Sequence, residues 1–323
     1  NALETHMTIT ERIDNVTRIP PEYRAAVLRA PKSVKIEISP RCNYRCGFCA
    51  LRTREVQPKW DMDFGLFKRI TREMREAGVE EVGMFYLGES FMNPRLLVDC
   101  IAFAKQTLGF PYVFLTSNAS MAFPDAVEAC MAVGLDSLKW SVNAADREQF
   151  VRIMGVSGRL FERALDNIKT AYAVRAEGGY ETGLYASSIR YDGEQQEKME
   201  RLLDARVRTF VDEHYWLPLY SMGAFATEQE ERLGYRPTAG NQGRLGALRA
   251  PLPCWSAFTE GHVTADGKLS ACCFDANANW TMGDLTKMSF MNAWNSPEFV
   301  KLREAHLRRD VSGTVCEQCV AYG

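Results

Sequence analysis

Between about residue 33 and residue 219 the chain alternates short β-branched runs with amphipathic helical stretches six times, and this regularity limits the possible folds severely. Residues 33–38, 82–87, 112–116, 138–142, 182–189 and 213–219 read as strands. Helices are expected at 61–77, from 93 towards 109, at 124–133, at 146–154 with 160–177, and at 194–210. Asp61 or Asp63 is a suitable N-cap, Pro94 suits a first helical position, and Gly78, Gly109 and Gly134 are stop signals. Strands alternating with helices imply a parallel sheet with right-handed crossovers. Six units fall short of a closed eight-fold barrel. An open six-stranded barrel and a doubly wound sheet both fit, and either gathers ligands at the carboxyl ends of its strands.

The end of the first strand carries Cys42, Cys46 and Cys49, spaced C-x3-C-x2-C, with Phe48 before the last. Thiolates grouped this closely hold a metal or a cluster. Three of them leave one iron of a cubic [4Fe–4S] cluster without a protein ligand, which points to an enzyme rather than an electron carrier. Gly88-Glu89-Ser90, Ser117-Asn118 and Ser141-Val142-Asn143 also follow strand ends, so all four segments are expected at one mouth.

Ten cysteines in 323 residues do not read as a disulfide framework. Cys100 and Cys130 fall at helical spacing among apolar neighbours and are expected in the core. A net charge of −2 gives no basis for bulk binding to nucleic acid or to an anionic membrane. No apolar stretch reaches the length of a membrane span and no signal peptide is visible. Residues 1–7 read as a tag remnant outside the fold, 8–220 as the α/β core, 221–250 as a linker or lid, and 251–323 as a small second domain. In that domain Asp266-Gly267 marks a hairpin between 257–263 and 268–272, and Ser296-Pro297 starts a helix. Cys254, Cys272, Cys316 and Cys319 suit either a structural zinc or a second cubic cluster, with Cys273 as a spare thiol.

The cysteine triplet, Phe48 and the following β/α series resemble the radical S-adenosylmethionine (SAM) superfamily. The resemblance implies a partial (β/α)6 TIM-like barrel with a small C-terminal α+β iron–sulfur domain. It implies that SAM chelates the open iron through its amino and carboxylate groups and is split to a 5′-deoxyadenosyl radical. Phe48 is then expected near the adenine, and Gly88, Glu89 and Ser90 at the methionine amino group, although Leu87 and Ser90 depart from the family's glycine–glycine–glutamate–proline pattern. Ser117, Asn118, Ser141 and Asn143 are expected at the ribose and carboxylate, and Arg152 is a further candidate for the carboxylate. The distal cysteines look like the family's twitch extension, a shortened SPASM domain. Cys254, Cys272, Cys316 and Cys319 would then ligate one auxiliary [4Fe–4S] cluster; the chain's stop soon after Cys319 favours one over two.

The resemblance to the aminocyclitol dehydrogenase with one such cluster leads to an expected function. A hydrogen atom is abstracted from a small polar metabolite of sugar or aminocyclitol type, a base removes a proton, and the auxiliary cluster takes the remaining electron. Glu213, Asp212 and Arg190 are candidate bases, and Glu213, Tyr215 and Trp216 candidate substrate contacts. Epimerisation with Cys273 as hydrogen donor is one alternative. Peptide modification is another, disfavoured by the short stretch before Cys42; a non-catalytic zinc or iron–sulfur protein is a third. Oxygen sensitivity implies a reducing cytoplasm and a flavodoxin- or ferredoxin-like electron donor.

Overall fold

Each β-branched run expected to be a strand forms one, though often a shorter one. The computed structural model describes residues 7–53, 59–275 and 280–322. All but Met7 of the expected tag remnant lies outside them, as does Gly323. In chain order the barrel contains β1 (Ser33–Ile36), α2 (Phe64–Ala77), β2 (Glu81–Gly83), α3 (Pro94–Ala102), β3 (Tyr112–Ser117), α4 (Pro124–Ala132), β4 (Ser137–Ser141), α5 (Arg147–Met154), α6 (Arg159–Gly178), β5 (Gly183–Arg190), α7 (Gly193–Arg206) and β6 (Glu213–Pro218), preceded by α1 (Ile9–Thr17). The caps follow local chemistry. Asp63 accepts from the Leu66 N–H at the start of α2, and Gly78 ends the helix at φ 100°. Asn93 caps α3, whose first residue is Pro94.

The six strands pair in parallel and in chain order, from β1 to β6. The sheet is not closed. Val34, Ile36, Val82, Leu115, Leu138, Leu184 and Ala186 are buried between the strands and the outer helices. Cys100 and Cys130 lie fully buried in the same core. The strand expected at 82–87 stops at Gly83, because the following turn is pulled against the loop after β1. A Cβ on Gly88 would sit 1.9 Å from the Ser39 carbonyl oxygen, and the Glu89 N–H donates to Arg41 O at 2.8 Å.

The C-terminal segment joins this sheet. Strand β7 (Glu260–Val263) pairs in parallel with β1, then β8 (Lys268–Ser270) and β9 (Thr281–Asp284) follow antiparallel, giving the order β6-β5-β4-β3-β2-β1-β7-β8-β9. Gly267 turns the hairpin at φ 80°. The α10 turn (Ser256–Thr259) replaces the first half of the strand expected at 257–263, while β9 and α11 (Phe290–Trp294) had no counterpart in the sequence reading. Helix α12 (Pro297–Arg308) buries Phe299, Leu302 and Ala305 as its spacing predicts. Residues 221–250 lack long elements but are anchored. They contain α8 (Phe225–Glu228) and α9 (Glu230–Leu233), bury Ala226, Leu233 and Ala239, and pair Arg244 with Asp14 of α1 at 2.7 Å. Among the described residues no helix is long and apolar enough to cross a membrane.

Helix α1, which the sequence reading missed, lies across the amino-terminal end of the barrel. A capping box between Thr8 and Glu11 starts it. Glu213 ties it down, accepting from the Ile9 N–H at 3.0 Å and the Thr10 hydroxyl at 2.5 Å. Glu213 is therefore an anchor for α1, not the substrate contact or base expected from sequence. Replacing Glu213 by Ala should cost about 1–2 kcal/mol in urea unfolding. It should also speed amide exchange across residues 9–17 while leaving radical chemistry in place.

Candidate active site

The carboxyl ends of β1 to β4 surround a cavity of about 220 Å3. Cys42, Cys46 and Cys49 line it, together with Phe48, Gly88, Glu89, Ser117, Asn118, Ser141 and Asn143. Main-chain bonds fold the cysteine loop: Arg45 N–H to Met154 O (2.9 Å), Gly47 N–H to Ile153 O (2.8 Å) and Cys49 N–H to Cys46 O (3.1 Å). Its packing against the C-terminus of α5 brings Cys46 Sγ within 3.3 Å of Met154 Sδ. Burial, then the charges of Glu89 and Cys49, push the Cys42 thiol up to about 12. Three thiolates cannot share this site unless a positively charged group compensates them.

Glu89 is the hub of the mouth. Its side chain is 3 % exposed and accepts from the Asn118 N–H (2.8 Å), the Phe91 N–H (3.1 Å) and the Ser117 hydroxyl (3.0 Å). The carboxylate thereby fastens the turn after β2 to the end of β3. Ser117 is engaged by Glu89, and Asn118 bonds to Asn43 and Ser120. Ser90 donates to Met84 O and does not line the cavity. Arg152 also lies off it, with its guanidinium donating to the Tyr235 hydroxyl at 3.0 Å. Neither placement matches the expected contact with SAM.

A second chamber of about 300 Å3 fills the barrel beneath this cavity and shares Phe85, Tyr86 and Thr116 with it. Tyr215 and Cys273 line this chamber. Trp216 does not, and its ring meets His214 edge-on at 5.2 Å. Asp212, a candidate base, accepts from Arg175 and from the Leu184 N–H away from the chamber, and Arg190 is exposed. Sequence reading missed the charged lining: Lys35, Lys139, Glu81 and Glu260. Its signal was alternation, since Lys35 and Lys139 are lone polar residues between apolar strand neighbours.

Cys254, Cys272, Cys316 and Cys319 converge on a third pocket, which shares Asn241 and Phe274 with the chamber. Burial and the neighbouring Cys272 charge push Cys254 up to about 12, and burial likewise raises Cys316 and Cys319. Cys273 donates to Cys272, which lowers the Cys272 thiol and raises that of Cys273. Asn241 Nδ2 reaches Cys272 Sγ (3.7 Å) and Cys273 Sγ (3.4 Å). Four soft, mutually repelling sulfurs with no interleaved carboxylate suit an iron–sulfur cluster. Among the described residues no three His, Cys, Asp or Glu side chains converge tightly enough to hold one ion. Tyr86 bridges the two halves, its hydroxyl within hydrogen-bond reach of the carbonyls of Cys272 (2.9 Å) and Asp275 (3.0 Å).

Residues 36–177 match the Radical SAM superfamily model, and 254–320 match the SPASM iron–sulfur cluster-binding domain. A GTP 3′,8-cyclase of Synechococcus sp. (strain CC9902) is 23% identical over 278 residues, 75% of this chain and 79% of that protein. The S-adenosylmethionine-dependent nucleotide dehydratase RSAD2 of Danio rerio is 34% identical over 104 residues, 31% of this chain and 27% of that protein. Among solved structures, Streptococcus suis SuiB bound to the precursor peptide SuiA aligns with TM-score 0.65 at 15% identity, covering 92% of this chain and 71% of that one. BtrN in complex with AdoMet and 2-DOIA aligns with TM-score 0.53 at 13% identity, covering 85% and 86%. At these identities the two structures speak for the fold.

The contact at Gly88 is decisive for the geometry of the mouth. Replacing Gly88 by Ala should destabilise the protein by about 3 kcal/mol in denaturant titration. Replacing Gly193 by Ala is the control, as no heavy atom lies within 4 Å of the place its new methyl would take and its φ is ordinary; that change should be neutral or mildly stabilising.

Proposed function

Because the chain belongs to the radical SAM superfamily and carries a SPASM iron–sulfur domain, we propose that it is an oxidoreductase that removes a hydrogen atom from a small polar metabolite of sugar or aminocyclitol type and passes the remaining electron to an auxiliary [4Fe–4S] cluster. SAM and two iron–sulfur clusters are its cofactors. With its cluster reduced, the upper cavity supplies a 5′-deoxyadenosyl radical from SAM. Cys42, Cys46 and Cys49 hold that cluster in this reading, and Cys254, Cys272, Cys316 and Cys319 hold the second. Phe48, the main chain at Gly88, and Ser141 to Asn143 orient SAM, while Glu89 acts by fixing the shape of the mouth. Substrate occupies the barrel chamber. Tyr215 and Cys273 line it, Phe85, Tyr86 and Thr116 separate it from the SAM cavity, and α1 excludes water from below.

The observation that carries this reading is the order of the three spaces. The chamber shares wall residues with the SAM cavity on one side and with the distal cysteine pocket on the other. A substrate held there meets the radical at one end and an electron acceptor at the other. The electron needed for SAM cleavage would come from a flavodoxin- or ferredoxin-like donor in a reducing cytoplasm.

Replacing Cys42, Cys46 and Cys49 together by Ala should leave about half of the iron of the anaerobically reconstituted protein and abolish reductive SAM cleavage. Replacing Cys254, Cys272, Cys316 and Cys319 should remove the other half and stop product formation with SAM cleavage retained. Cleavage surviving the first set of changes would sink the assignment.

Epimerisation is a second reading, supported by the place of Cys273 in the chamber wall, where its thiol can return a hydrogen atom to a substrate radical. Turnover in deuterium oxide separates the two. Oxidation leaves the attacked carbon unlabelled, whereas return of hydrogen from an exchangeable thiol leaves deuterium on it.

A further inference from the structure

Among the described residues four cations reach the chamber, and three of them have partners. Arg12 pairs with Glu81 at 3.2 Å and lies 3.7 Å over the Tyr112 ring. Arg244 pairs with Asp14 at 2.7 Å. Lys35 pairs with Glu260 at 2.9 Å, and Glu260 is held in turn by His262 at 2.8 Å. Among the described residues, Lys139 has neither an ion pair nor a hydrogen bond; the Tyr215 ring lies 6.0 Å from its Nζ, at the outer limit of a useful cation–π contact. Enclosure, then the nearby Lys35 charge, pushes the Lys139 ammonium down to about 7.

Lys139 is also well placed. It stands opposite Thr116 in the β3–β4 ladder, and Thr116 lines both the chamber and the SAM cavity. Ser141, two residues along β4, faces the SAM cavity. Two strand residues span about 7 Å, which is the scale of a small metabolite between its charged end and the carbon that reacts.

We propose that the chamber binds a metabolite bearing a carboxylate or phosphate, and that Lys139 is the residue that pairs with this anionic group. This narrows the substrate class of the oxidoreductase reading and rests on that reading's placement of substrate in the chamber. The anion supplies the counter-charge that the protein withholds, and its other end points along β4 towards Ser141. A lysine without a partner in a walled space costs stability, and substrate recovers that cost on binding. Lys35 is already paired with Glu260, so the attraction rests on Lys139.

Thermal unfolding of the reconstituted holoenzyme, with malonate or inorganic phosphate against chloride at matched ionic strength, tests the proposal. One of the two anions should raise the wild-type midpoint by about 2 °C or more, and which one does so separates a carboxylate from a phosphate. Lys139→Met should abolish that rise, and Lys139→Arg should keep part of it. No rise in the wild type, or an equal rise in Lys139→Met, overturns the proposal. Because this measurement uses neither reductant nor turnover, it can fail while the oxidoreductase reading stands, and that reading can fail in the iron and SAM-cleavage measurements without touching this one.

Discussion

Strand β1 is hydrogen-bonded on both edges, to β2 on one side and to β7 on the other, and the functional layout depends on that double pairing. The loop after β1 carries Cys42, Cys46 and Cys49. The hairpin that begins with β7 leads directly to Cys272 and Cys273. Two cysteine sets more than 200 residues apart are thereby mounted on one continuous sheet. Their separation is set by strand spacing of about 4.8 Å per step and by the rise along each strand, not by a hinge between domains. The chamber between them inherits that rigidity.

Much of the barrel was legible because its signals are local. Alternation in 33–38, the Asp63 and Asn93 caps, Pro94 and Gly78 each act within a turn or two of chain. The missed features depend on contacts distant in sequence. Strand β2 ends early because the main chain near Gly88 abuts Ser39 to Arg41, and no periodicity in 82–87 reveals that. Strand β9 is four residues long and owes its existence to β8. Glu213 and Arg152 looked functional because of their place in the chain, yet one anchors α1 and the other bonds to Tyr235. Cysteines were easier to interpret, since spacing constrains a cluster more tightly than it constrains a substrate contact.

The charged lining shows how the barrel divides stability from recognition. Arg12 with Glu81 and Lys35 with Glu260 bind the walls of the chamber together, in pairs whose carboxylates are largely enclosed. The lowered carboxyl of Glu260, at about 2, reflects the nearby Lys35 and His262, which outweigh its burial. Those pairs leave no charge for a ligand. In the proposed function, recognition falls to the groups outside such pairs, namely Lys139, Tyr215 and the thiol of Cys273.

Helix α1 closes the barrel from a position outside the sequence of β/α units, and Ile9, Ile13 and Val16 on it form part of the chamber floor. Polar ties hold it along its length: Glu213 at its start, Arg12 with Glu81 midway, and Asp14 with Arg244 and the Val16 carbonyl with the Thr259 hydroxyl near its end. The depth of the chamber is thus decided by a helix that carries none of the cysteines. Bulkier or smaller residues at those three positions can retune how long a molecule fits without touching the lining of the upper cavity, so in the proposed function selection can act on substrate size and on chemistry separately.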